Sequence, residues 1–184
     1  VLVLAVKPQQ MKEAVAPLVG KLGDAVVISI AAGLDMTALS RWLGGHRQIV
    51  RCMPNTPAMI GAGITGLCAL PEVSADQRAA ADRVLRAVGT TVWIEDEAKI
   101  DGVTAISGSG PAYVFYFIES LMAAAAAQGL APDTARQLAL QTFFGAAKLA
   151  LESGEEPAVL RQRVTSKGGT TERGISVLET AAVK

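Results

Sequence analysis

Apolar residues follow two different rhythms along the chain. Short continuous apolar runs occupy residues 1–6, 25–30, 48–52, 63–70 and 90–94. Between them lie stretches whose apolar positions recur every three or four residues. Continuous runs of this length suit strands covered on both faces of a parallel sheet, and the helical rhythm supplies the covering layers. The spacing predicts helices over 9–18, 36–43 and 75–88. Asp35 is placed to cap the second of these, and Ser74 with Gln77 forms a capping box for the third.

Beyond residue 95 the strand pattern stops. Helical periodicity is expected over 98–106 and again to 128, with a kink at Ser107-Gly108-Ser109-Gly110-Pro111. A further helix runs over 132–151, with Pro132 at its start and Gly154 as its stop. A short one covers 157–163, and a last one carries Ile175, Leu178 and Ala181-Ala182. The expected architecture is therefore a Rossmann-like α/β domain over 1–96 followed by an all-α domain over 97–184. Glycine-rich phosphate-binding turns open such sheets, and no G-x-G-x-x-G precedes the run at residue 1. We expect the first strands of the sheet, with that turn, to lie upstream of this sequence.

Composition narrows the chemistry. The 184 residues are 51% hydrophobic, with 17 basic and 17 acidic side chains. Residues 1–94 carry 9 basic against 6 acidic groups and residues 95–184 carry 8 against 11, an asymmetry too small to argue for nucleic acid. Cys52 and Cys68 lack metal-site spacing and sit in apolar runs, as buried free thiols do. His46 follows two glycines in a turn-like stretch and reads as a surface residue. No metal site is expected. The segment over 111–128 is apolar nearly all round but is interrupted by Glu119, which suits a helix buried against a second subunit better than a membrane span.

Two regions carry candidate chemistry. The carboxyl ends of the first three strands place Val6-Lys7-Pro8, Ala31-Ala32-Gly33 and Met53-Pro54-Asn55 on one rim of the sheet. Ligands bind there in open α/β folds, although ordinary turn chemistry also explains Gly, Pro and Asn at those positions. The second region is Val164-Thr165-Ser166-Lys167-Gly168-Gly169-Thr170-Thr171-Glu172-Arg173-Gly174. It is a hydroxyl- and glycine-rich turn opening a helix whose first amides suit a carboxylate or phosphate. An ordinary loop with a helix cap would use the same residue types.

Four stretches resemble the pyrroline-5-carboxylate reductase family: Leu4-Ala5-Val6-Lys7-Pro8, Arg51-Cys52-Met53-Pro54-Asn55-Thr56-Pro57, Ser107-Gly108-Ser109-Gly110-Pro111-Ala112-Tyr113, and the run from Pro157 through the S-K-G-G-T-T loop to Glu179. They occur in the family's order from one end of the chain to the other. The resemblance implies reduction of 1-pyrroline-5-carboxylate to L-proline with NADPH or NADH, in the cytoplasm, by a homodimer or larger homo-oligomer. It implies an upstream phosphate-binding turn and a further helix beyond residue 184. Carried over residue by residue, it makes Val6, Lys7, Pro8, Ala32, Met53, Pro54 and Asn55 cofactor contacts. Glu97, Ser166, Gly168, Gly169 and Thr170 become substrate contacts, and Thr171 the catalytic hydroxyl at the ring nitrogen. Lys167 stands where many members have proline. Arg163 replaces an asparagine of some members and could face a cofactor phosphate. Two rival readings remain at this level: a hydroxy-acid dehydrogenase using Lys99, and a non-catalytic nucleotide-binding scaffold.

Overall fold

The computed structural model describes residues 1–181 and 183. Ala182, part of the apolar pattern expected in the last helix, lies outside them. By contacts the chain divides into two compact units, Val1–Tyr113 and Val114–Lys184. The α/β pattern ends near residue 96, yet residues 97–113 pack with the first unit.

Five strands form one sheet in chain order: β1 (Leu2–Leu4), β2 (Val27–Ser29), β3 (Ile49–Met53), β4 (Gly63–Ala69) and β5 (Gly89–Trp93). Helix α1 (Pro8–Val15) and a 3₁₀ turn over Ala16–Leu18 join β1 to β2, and α2 (Met36–Trp42) joins β2 to β3. These crossovers leave β1, β2 and β3 parallel. Only a 3₁₀ segment, Thr56–Ile60, separates β3 from β4, too short a link for a crossover, and β4 accordingly runs antiparallel to β3. Helix α3 (Ala75–Arg86) then returns the chain so that β5 lies parallel to β4.

The core lies between the helices and the sheet. Met11 and Val15 of α1, Leu39 of α2 and Ala81 of α3 are fully or almost fully buried with Val27, Ile28, Ile49, Val50 and Leu67 of the strands. Their three- and four-residue spacing puts each helix's apolar stripe on the sheet. In β1, Leu4 is buried and Val3, on the opposite face, is 43% exposed. Asp35 caps α2 through its bond from the Ala38 amide, and Ser74 and Gln77 close the capping box of α3 reciprocally. Cys52 and Cys68 are free and buried, and burial with the neighbouring Cys68 pushes the Cys52 thiol up to about 12. Neither is poised as a nucleophile. His46 is half-buried, its Nε2 placed 3.0 Å from the Ala25 carbonyl.

After β5, a 3₁₀ turn (Glu97–Lys99) leads into α4 (Ile100–Val103), a π-helical turn (Thr104–Gly108) and α5 (Gly110–Ala127). The kink expected at Ser107–Pro111 is thus a widened π turn within a nearly continuous helix. The 31-residue stretch Glu97–Ala127 is long and apolar enough to cross a membrane by length and composition. The second unit continues through α6 (Pro132–Ser153), α7 (Pro157–Arg163) and α8 (Thr170–Thr180). Gly154 ends α6 in the left-handed conformation at φ 66°. Among the apolar side chains described in this unit, Ile118, Ala135 and Ala139 are buried, while Phe115, Tyr116, Phe144, Leu151 and Val177 are exposed.

Candidate functional site

In the first unit the carboxyl ends of β1, β2 and β3 share one edge of the sheet, because the three strands are parallel. Lys7 is the N-cap residue of α1, and Pro8 occupies the first helical position, where its missing N–H costs nothing. Val6, Lys7 and Ala32 are exposed on this edge, and Met53, Pro54 and Asn55 are half-buried. The Asn55 side-chain oxygen accepts a 3.0 Å hydrogen bond from the Ile64 amide, so this side chain also ties the start of β4 to the rim. Small side chains at Ala32 and Pro54 leave the backbone edge approachable, and Lys7 supplies a cation beside it.

Glu97 has structural partners that spacing alone did not disclose. Its Oε1 accepts from Arg51 Nη1 at 3.0 Å and from the Met36 amide at 2.8 Å. One carboxylate oxygen thereby binds the middle of β3 to the first turn of α2, where a negative charge also suits the helix dipole. Arg51 is 8% exposed, and its Nε is buried without a partner among the described residues.

In the second unit, the segment Ser166–Gly169 turns into α8. Gly168 has φ 76°, a conformation that strains any residue with a Cβ, and its amide donates to Glu172 Oε2 at 2.7 Å. Gly169 serves a different need. Its φ is ordinary, but a Cβ there would sit 2.6 Å from Ser166 Oγ. The Gly169 amide donates to the Ser166 carbonyl at 3.0 Å, closing the turn. Gly169 is the N-cap of α8 and offers no side-chain cap, which leaves the first helical amides to face outward. Gly168, Gly169 and Thr170 line an open depression of about 520 Å³ with Glu172, Arg173 and Ser176. Ser166 and Thr171 flank these residues in sequence but do not line the depression. Glu172 had no role in the sequence reading, although a carboxylate four residues beyond Gly168 is spaced to reach its amide. Arg163 pairs with Glu155 at 2.5 Å, and Lys167 is exposed. Among the described residues no cluster of three or more His, Cys, Asp or Glu side chains could hold a metal ion.

The two units define a class: a Rossmann-like α/β sheet followed by a helical module whose last helix is entered through a glycine-rich loop. Residues 97–184 match the family model described as pyrroline-5-carboxylate reductase dimerisation. The chain is 51% identical over 178 residues to the pyrroline-5-carboxylate reductase of Pseudomonas aeruginosa, covering 95% of this chain and 64% of that protein. It is 43% identical to the enzyme of that name from Haemophilus influenzae, covering 97% of this chain and 67% of the other. The solved pyrroline-5-carboxylate reductase of Coxiella burnetii superposes with a TM-score of 0.93 at 46% identity, over 98% of this chain and 68% of that one. The Plasmodium falciparum pyrroline carboxylate reductase, solved with NADP bound, superposes at 0.87 with 33% identity, over 98% and 72%. This chain belongs to the pyrroline-5-carboxylate reductase family. It spans about two thirds of the length of the curated relatives it matches.

Proposed function

We propose that the protein reduces 1-pyrroline-5-carboxylate to L-proline with NADPH or NADH, as a cytoplasmic homodimer or larger homo-oligomer. The observation that carries this reading is the likeness to the Coxiella burnetii enzyme, 46% identity and a TM-score of 0.93 over nearly the whole chain. When bound, the dinucleotide supplies the hydride. The tasks left to the chain are to hold the substrate ring in one orientation and to manage one proton.

The loop before α8 suits the first task. Outward-facing amides at the uncapped start of the helix, with the Ser166 hydroxyl, hold the substrate carboxylate and fix one edge of the ring. Thr171 suits the second. Its hydroxyl hydrogen-bonds the ring nitrogen, which must carry a proton for the imine carbon to accept hydride. The sheet rim at Val6, Lys7, Pro8, Ala32, Met53, Pro54 and Asn55 holds the nicotinamide and its ribose. Glu97 stands beside the substrate through a carboxylate already anchored on Arg51. The exposed apolar faces of α5 and α6 become the subunit interface, which places the long apolar helix in a protein contact rather than in a membrane.

The test uses the full-length protein. Absorbance reports NADPH and NADH oxidation in the presence of pyrroline-5-carboxylate. Imine-dependent oxidation is expected, and Thr171→Ala is expected to lower kcat by roughly a hundredfold, the scale of a lost general acid–base group, with the fold intact. Absence of oxidation with either dinucleotide, in a folded oligomeric sample, would leave a nucleotide-binding scaffold as the better reading.

A further inference from the structure

The first unit contains a π-helical turn at Thr104–Gly108. It is held by local bonds. The Ser109 amide reaches the Thr104 carbonyl at 2.8 Å, the five-residue step of a π turn, and the Thr104 and Ser107 hydroxyls donate to the Ile100 and Val103 carbonyls. Such turns are rare and tend to sit where a helix must accommodate something specific. Here the thing accommodated is the end of β3. A Cβ on Gly108 would lie 2.9 Å from Cε of Met53, the last residue of that strand. Met53 in turn pairs across the sheet with Gly66, where a Cβ would lie 2.7 Å from Cγ1 of Val103.

Two glycines on opposite partners therefore create one close approach. Gly66 lets α4 settle onto β4, and Gly108 lets the π turn settle onto the Met53 side chain. Neither glycine has a positive φ, so backbone freedom is not the reason for either. Space is. The contact falls at the carboxyl end of β3, next to Pro54 and Asn55.

We propose that Gly108 is a positioning residue for the dinucleotide: the π turn presses the Met53 side chain into the place from which it lines the nicotinamide end of the site. This rests on the cofactor rim assigned above. Because the group that a new methyl would meet is the flexible tip of Met53, Gly108→Ala displaces that tip by a few tenths of an ångström and leaves the fold standing. The displaced tip then intrudes on the rim. Shortening Met53 removes the conflict, so the two substitutions must be coupled.

The experiment measures NADPH affinity calorimetrically, and steady-state kinetics with pyrroline-5-carboxylate, for the full-length protein and for Gly108→Ala, Met53→Ala and the double variant. Gly108→Ala is expected to weaken NADPH binding by roughly fivefold or more, with the KM for the imine at saturating NADPH unchanged. On the Met53→Ala background, adding Gly108→Ala is expected to cost nothing further. A structural role alone would lower the melting temperature without separating the two substrates. Unchanged NADPH affinity in Gly108→Ala would overturn the proposal while leaving the reductase reading intact. So would a full additional loss in the double variant, the comparison that also decides the matter should Gly108→Ala alone fold poorly. Conversely, NADPH binding with the expected coupling but no imine reduction would sustain the proposal and sink the reductase reading.

Discussion

Arg51 illustrates how much a single pair holds together. A guanidinium in the middle of a strand, 8% exposed, is tolerable only with a charged partner, and Glu97 is that partner. Removing one member of a buried pair costs more than the pair contributes, because the other charge is stranded. Glu97 is about a quarter exposed, which reduces the penalty. Glu97→Ala is accordingly expected to lower stability by about 2 kcal/mol in a urea titration. Glu97→Gln should recover part of the loss, since its amide oxygen can still accept from the Met36 N–H. Were Glu97 only structural, kcat/KM measured well below the melting temperature would be unchanged in Glu97→Gln. A fall there supports contact with the substrate. The sequence made Glu97 conspicuous but hid its partner. Arg51 lies 46 positions away, and no local rhythm encodes that distance.

At the level of elements, local chemistry was the readable part. Asp35, Ser74 with Gln77, Pro132 and Gly154 mark helix ends through interactions within four residues, and the structure places each at such an end. Strand direction was not readable. The apolar run of β4 looks the same whether it pairs parallel or antiparallel, and only the shortness of the 3₁₀ link decides it. The pattern at Ser107–Pro111 marks a kink but not a π turn, because a five-residue hydrogen-bond step has no residue signature of its own. The loop into α8 shows both kinds of information in adjacent glycines. Gly168 is required by its backbone and Gly169 by the side chain it faces, so substitution should separate them. Gly168→Ala is expected to cost about 1 kcal/mol through its positive φ. Gly169→Ala should cost less, because exposed Ser166 can turn its hydroxyl away and only the Ser166 carbonyl oxygen, 3.1 Å from the new methyl, must give, but it should raise the KM for pyrroline-5-carboxylate. Equal stability losses in both variants would show that the loop is a simple cap.

The two units differ in how they can be stable. Val1–Tyr113 has a sheet with helices packed on it and a contiguous buried core. Val114–Lys184 is built from long apolar helices, yet its buried apolar residues, among those described, are Ile118 and two alanines, while Phe144 is 62% and Leu151 85% exposed. Apolar area of that extent in water costs too much for the unit to hold its shape unaided, and the part of the chain concerned matches a dimerisation module. Its folding is then tied to association by mass action. Each tenfold dilution removes about 1.4 kcal/mol from the association term of a dimer. Set against the unfolding entropy of two chains of this size, that amounts to roughly 1–3 °C in Tm per tenfold change in concentration. Thermal unfolding of the full-length protein across a hundredfold concentration range is therefore expected to show a midpoint that climbs steadily with concentration. Light scattering should show oligomers throughout the folded range. A concentration-independent midpoint in a monomeric sample would mean that the apolar faces are covered within one chain, and the interface assigned to α5 and α6 would fall with it. Partition of the protein into detergent or lipid vesicles, with the faces of α5 buried there, would instead return the 31-residue apolar stretch to a membrane role.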